Sequence, residues 1–130
     1  MLWKSDPYAR QSEKRPFTKS IVSGSNEYTW PLDVLKHKQT INDRHLERPM
    51  AIYEVHIGTW RRKEDGEFYT YREIADQLIP YVIDMGFTHI ELLPISEFPF
   101  DGSWGYQPVG MFAPTIRFGP PHEFRDFIEA

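Results

Sequence analysis

Ala51-Ile52-Tyr53-Glu54-Val55-His56-Ile57-Gly58, then Thr70-Tyr71-Arg72-Glu73, then Phe87-Thr88-His89-Ile90-Glu91-Leu92-Leu93-Pro94: the fold of this chain turns on these three stretches. The first is rich in β-branched and aromatic residues and stops at a glycine, so residues 51–57 predict a strand. The second is a capping box. The Thr70 hydroxyl accepts from the Glu73 amide, and the Glu73 carboxylate reaches back to the Thr70 amide. Apolar residues at Ile74, Leu78, Val82 and Met85 then share one helical face, and Gly86 supplies a left-handed stop. Pro80 interrupts that helix with a lost hydrogen bond and predicts a kink near 76–80. The third stretch, residues 87–93, predicts a second strand ended by Pro94. Strand, helix and strand with short joints make a βαβ unit, which implies parallel strands.

Towards the C-terminus, residues 95–118 predict a long loop holding most of the distinctive residues. Pro120-Pro121 opens a further helix, with Phe124, Phe127 and Ile128 beginning an apolar stripe. Two parallel strands and a short second helix leave sheet edges and faces uncovered, so the pattern reads as a piece of a larger α/β fold.

Towards the N-terminus the sequence is polar and broken. Lys4-Ser5-Asp6-Pro7-Tyr8 and Ser23-Gly24-Ser25-Asn26 predict turns. Tyr28-Thr29-Trp30 predicts a short strand, and residues 36–48 a loop or frayed helix. No internal repeat is present. Residues 1–49 therefore read as a linker or the end of a preceding domain.

Composition narrows the class. The formal charge of -4 argues against a nucleic-acid partner, whose phosphates need a basic surface. No run of about 18 apolar residues predicts a membrane span, and residues 1–10 lack the apolar core of a secretory signal. The 130 residues contain no cysteine, which excludes disulfides and thiolate metal sites and fits a cytoplasmic setting. Aromatics make up 15% of the chain. Most such rings serve a core, and flat rings also stack on the C–H faces of sugars.

In parallel α/β folds, ligands bind beyond the C-terminal ends of the strands. Those ends here lead into Gly58-Thr59-Trp60 and into Ile95-Ser96-Glu97-Phe98-Pro99-Phe100-Asp101-Gly102-Ser103-Trp104-Gly105-Tyr106-Gln107-Pro108. Residues 51–62, residues 85–94 and above all the run Phe100–Pro108, continued by Phe112-Ala113-Pro114 and Arg117-Phe118-Gly119, resemble the start of the catalytic barrel in bacterial glycogen branching enzymes of the α-amylase superfamily. Lys4–Ala9 resembles the exit from that family's β-sandwich carbohydrate-binding module. The match in between is loose.

The resemblance implies a fold: an incomplete (β/α)8 TIM barrel over residues 50–130, with its first two strands, first helix and the start of the second. Residues 1–49 would be linker and the tail end of the β-sandwich module. It also implies an activity, cleavage of α-1,4-glucan and transfer of the freed segment to a 6-hydroxyl to form α-1,6 branches. The partners implied are α-1,4-glucans such as glycogen and amylose-like chains. Nucleic acid, membrane, cofactor and metal are not expected. The family is a retaining one, whose two acting carboxyl groups stand about 5–5.5 Å apart. The Asp, Glu and Asp of that chemistry belong to the fourth, fifth and seventh strands. No catalytic residue is therefore expected within residues 1–130, and these residues alone are expected to be inactive.

One ligand-contacting position carries over. The tyrosine of Trp-Gly-Tyr-Gln-Pro, here Tyr106, stacks on sugar where cleavage occurs, and Gln107 and Trp104 are neighbouring candidates. Trp104 could equally pin the loop to the barrel rim, and Gly105 would give Tyr106 its approach through a positive φ. Glu97 and Asp101 look like an acid–base pair, but loop hydrogen bonding is the favoured reading. His56 and His89 read as hydrogen-bonded, packed imidazoles. His37, His45 and His122 share no ligand spacing. Arg61-Arg62-Lys63 reads as a solvated loop, with only the family context hinting at an ion pair. The alternatives are another α-amylase relative, such as a trehalohydrolase or debranching enzyme, and a non-catalytic glucan-binding module. The latter is usually a β-sandwich, which the βαβ pattern opposes.

Overall fold

The computed structural model describes residues 4–24, 28–36 and 47–130. The expectations for Ser25, Asn26, His37, His45 and most of the 36–48 segment lie outside the described residues. Strand β1 (Ile52–Val55) pairs in parallel with β2 (His89–Leu92), Ile52 opposite His89 and Val55 opposite Leu92. The connection is helix α2 (Tyr71–Asp84), so the βαβ unit stands. Both strands are shorter than the sequence suggested. After Val55 the chain turns into a one-turn helix, α1 (Ile57–Trp60), in which the Thr59 and Trp60 amides both donate to the His56 carbonyl at 3.0 Å. Gly58 permits this turn. A Cβ there would stand 3.1 Å from both the Phe118 and His56 rings, closer than packed side chains tolerate without displacement.

The α2 capping box forms as predicted. The Glu73 amide donates to Thr70 Oγ1 at 3.2 Å, and the Thr70 amide donates to Glu73 Oε2 at 2.7 Å. At the other end Phe87 N–H reaches Val82 O (2.9 Å) and Gly86 N–H reaches Ile83 O (3.0 Å), with Gly86 at φ 78°. These are the paired closing bonds of a Schellman turn. Helix α2 runs continuously through Pro80. Ile74, Leu78 and Val82 are buried, joined by Tyr71 and Ala75; Met85 is not, because it caps the helix and points out of the stripe.

The predicted loop of residues 95–118 is more ordered than a loop. It contains an antiparallel pair, β3 (Ser96–Glu97) with β4 (Gly110–Pro114), and two short 3-10 turns, Asp101–Ser103 and Ile116–Phe118. Two-residue β3 is below the length at which period-2 patterning is readable. Helix α3 (Pro121–Glu129) starts at the proline pair as expected and lays Phe127 into the core beside α2, with Phe124 packed against it and Ile128 exposed.

In the N-terminal part, Asp6 shapes the predicted turn. Its Oδ1 accepts from the Tyr8 amide at 2.9 Å and its carbonyl from the Ala9 amide at 3.2 Å. Residues 28–30 are not a strand. Tyr28 and Trp30 instead meet edge to face at 5.2 Å, with the Arg125 guanidinium 4.1 Å from the Tyr28 ring. No helix among the described residues is long and apolar enough to cross a membrane.

Candidate functional site

The C-terminal ends of β1 and β2 open into a cavity of about 280 Å³. His56 and Thr59 come from the first connection, and Phe98, Asp101 and Trp104 from the second. Arg117 and Asp101 in this lining belong to an ion-pair cluster centred on Glu97. Glu97, buried on β3, accepts from Arg117 Nη1 at 2.6 Å, Thr115 Oγ1 at 3.1 Å, and the amides of Ile116 (2.7 Å) and Phe98 (3.0 Å). The side chains of Arg117 and Glu97 are 2% and 1% exposed. Such a pair is tolerable only when hydrogen bonds occupy the remaining donors and acceptors, and these do. Arg117 also gives Nε (3.0 Å) and Nη2 (2.7 Å) to Asp101 Oδ1 and lies 3.6 Å from the Phe98 ring centroid. Glu97 and Asp101 are thus held as loop-building anions, as their favoured reading had it, with one arginine between them.

Asp101 opens the 3-10 turn that presents the aromatic loop. The Trp104 amide donates to Asp101 O at 3.0 Å and the Tyr106 amide to Ser103 O at 3.0 Å. Trp104 (φ 57°) and Gly105 (φ 92°) are both left-handed. A Cβ on Gly105 would meet Pro94 Cβ at 2.7 Å, so only glycine lets the loop pass the end of β2. The result is a pair of outward rings, Trp104 at 55% and Tyr106 at 67% exposure. Trp104 lines the cavity and lies 5.6 Å from the His56 ring. Tyr106 and Gln107 are exposed and outside its lining.

The remaining candidates have structural partners. His56 Nδ1 is 3.1 Å from Thr59 Oγ1, and His89 Nδ1 is 2.7 Å from Thr88 Oγ1, although His89 is exposed rather than packed. Arg61-Arg62-Lys63 is not simply solvated. Arg61 lies over Trp60 at 4.4 Å, Arg62 over Phe68 at 3.6 Å, and Lys63 Nζ bonds Glu73 Oε1 at 2.8 Å. The Lys63 ammonium holds the Glu73 carboxyl below its usual range, helped by the Thr70 amide, and Glu73 in turn raises Lys63. No cluster of His, Asp or Glu among the described residues is arranged to hold a metal ion. Sequence reasoning missed Arg117 and Arg15 as builders of the site. A lone arginine in a loop carries no signal of its eventual burial.

No family model matches the chain. Among curated proteins it is 56% identical over 126 residues to the 1,4-alpha-glucan branching enzyme GlgB of Rhodospirillum rubrum, covering 97% of this chain and 17% of that protein. It is 52% identical over 129 residues to GlgB of Geobacillus stearothermophilus, covering 99% and 20%. The chain therefore spans about a fifth of the length of the curated relatives it matches. In three dimensions it resembles a Salmonella typhimurium chain provisionally named an alpha amylase. The TM-score is 0.67 at 29% identity, over 97% of this chain and 19% of that one.

Proposed function

We propose, taking as premise that this chain is homologous over nearly its whole length to one segment of the 1,4-alpha-glucan branching enzymes, that it forms the substrate-receiving corner of such an enzyme. The activity it would serve is scission of an α-1,4-glucan and transfer of the segment to a 6-hydroxyl. The observation that carries the proposal is the loop of residues 100–108. It stands beyond the ends of two parallel strands, with Trp104 lining a cavity and Tyr106 exposed two residues further along the same loop. Flat rings in that position suit pyranose faces. The assigned contacts are Tyr106 and Trp104 by stacking and Gln107 by hydrogen bonding.

Residues 50–130 are read as the beginning of a (β/α)8 barrel, and residues 1–49 as linker and tail of a β-sandwich carbohydrate module. Support comes from the parallel pair and from an apolar trough lined by Ile79, Ile90, Leu92, Phe127 and Ile128, where a further strand and helix would pack. A cytoplasmic setting goes with this reading. The family's Asp, Glu and Asp belong to later strands, so residues 1–130 supply recognition and not bond cleavage. Two measurements test the proposal. Titration with maltoheptaose, followed by NMR of the Trp104 indole N–H, should show binding that Tyr106→Ala weakens by at least about 10-fold, the loss of one stacked aromatic contact. Incubation with amylose should leave the iodine colour unchanged. No maltoheptaose binding, or a fading blue with new α-1,6 linkages, would overturn it.

A further inference from the structure

We infer that Arg15 is a positioning residue for the Trp104–Tyr106 loop, acting through Asp101; its relevance to glucan rests on the function proposed above. Residues 11–21 form a narrow hairpin. Ser12 bridges Ser20, the Glu13 amide donates to Lys19 O at 2.9 Å and the Ile21 amide to Gln11 O at 2.9 Å. The Phe17 amide closes the tip onto Lys14 O at 3.3 Å, which places Arg15 at the turn.

From that tip Arg15 Nε reaches Asp101 Oδ2 at 2.9 Å, and its guanidinium lies 5.8 Å from the Phe68 ring. The other oxygen of Asp101 is already taken by Arg117. The two arginines therefore grip one carboxylate from opposite parts of the chain, Arg117 from the buried core and Arg15 from the N-terminal hairpin. The same Asp101 begins the turn whose carbonyl receives the Trp104 amide, just before two consecutive left-handed residues. A tryptophan in that conformation needs anchoring from its surroundings. Arg15 also lines the cavity that Trp104 lines. Its side chain remains partly exposed, so the ion pair contributes little to global stability. Its effect is confined to the loop.

The test uses Arg15→Gln and Arg15→Lys in the 130-residue chain, with amide hydrogen exchange read residue by residue. In Arg15→Gln the Trp104 and Tyr106 amides should exchange about threefold faster, the population shift of one exposed ion pair. Amides in the interior of α2 should keep their rates, and Arg15→Lys should restore part of the protection. Unchanged rates at Trp104 and Tyr106 would overturn the inference. So would an equal rise in α2, which marks a general loss of stability. A parallel maltoheptaose titration separates the two claims. Loop exchange that responds to Arg15→Gln in a protein that binds no maltoheptaose sustains the positioning role and removes the glucan reading. Where wild-type binding is seen, Arg15→Gln should raise Kd about threefold.

Discussion

The hydroxyl of Tyr71, in the first turn of α2, donates to the carbonyl of Thr115 at 2.6 Å, tying the helix of the βαβ unit to the end of β4. Both residues are fully buried, and the ring packs against Phe118 at 5.6 Å and Phe124 at 5.1 Å. Tyr71→Phe keeps the rings and strands the Thr115 carbonyl. The expected loss is about 1–3 kcal/mol, read as a lower urea midpoint at unchanged slope. Burial also pushes the Tyr71 phenol well up, with the Glu97 charge adding to it and Arg117 opposing it. A raised folded value means stability that is whole below the unfolded tyrosine range near 10 and is lost as pH rises above it. The alkaline limb of the stability curve should be shallower in Tyr71→Phe, and an equal slope would argue against the assignment.

Glu97 and Arg117 should tolerate replacement poorly. Glu97→Gln leaves the arginine buried with half its charge compensation, and breaking such a pair costs about 3–5 kcal/mol. A thermal melt should show this as the largest loss among the loop variants. A change of less than 1 kcal/mol (roughly the worth of an exposed pair) would mean that water enters this cluster in solution.

Gly105→Ala combines a left-handed backbone with a Cβ 3.0 Å from the Pro94 carbonyl. The conformational part alone costs about 1–2 kcal/mol. The loop is expected to re-set rather than the core to melt, so the Trp104 and Tyr106 resonances should shift while those of α2 stay in place.

The Lys63–Glu73–Thr70 arrangement predicts opposite pH limbs. Glu73 has a depressed folded value, so its contribution is present above the unfolded glutamate range near 4.3 and disappears as pH falls through the lower folded value. Lys63 is raised, so its contribution is whole below about 10.4 and fades as pH climbs through the folded value. Both groups are partly exposed, and the effects are small and salt-sensitive. Glu73→Gln should flatten the acid limb in low salt and change little at 1 M salt; equal flattening at both would contradict an ion-pair origin.

What the sequence made legible was local. Thr70 and Glu73 announce the start of α2, Gly86 its end, and Pro120-Pro121 the start of α3, because each is a short-range constraint between neighbouring amides and side chains. The Ile74–Leu78–Val82 face was readable by period, and the aromatic loop by its resemblance. What stayed hidden depends on pairing across distance. β3 is too short for a pattern, and nothing in Arg117 itself says it will lie between Glu97 and Asp101. The strand expected at Tyr28–Trp30 satisfied local preference and lacked a partner ladder. Residue 57 shows the opposite case, where a strong strand former entered a helical turn because Gly58 let rings crowd in.

The closeness of His56 to the Trp104 indole gives the site an intrinsic optical signal. A neighbouring imidazole alters the emission of an excited indole. Emission from Trp104 should therefore change when a ligand parts the two rings. Light output at this corner becomes a gauge of occupancy, with no dye attached.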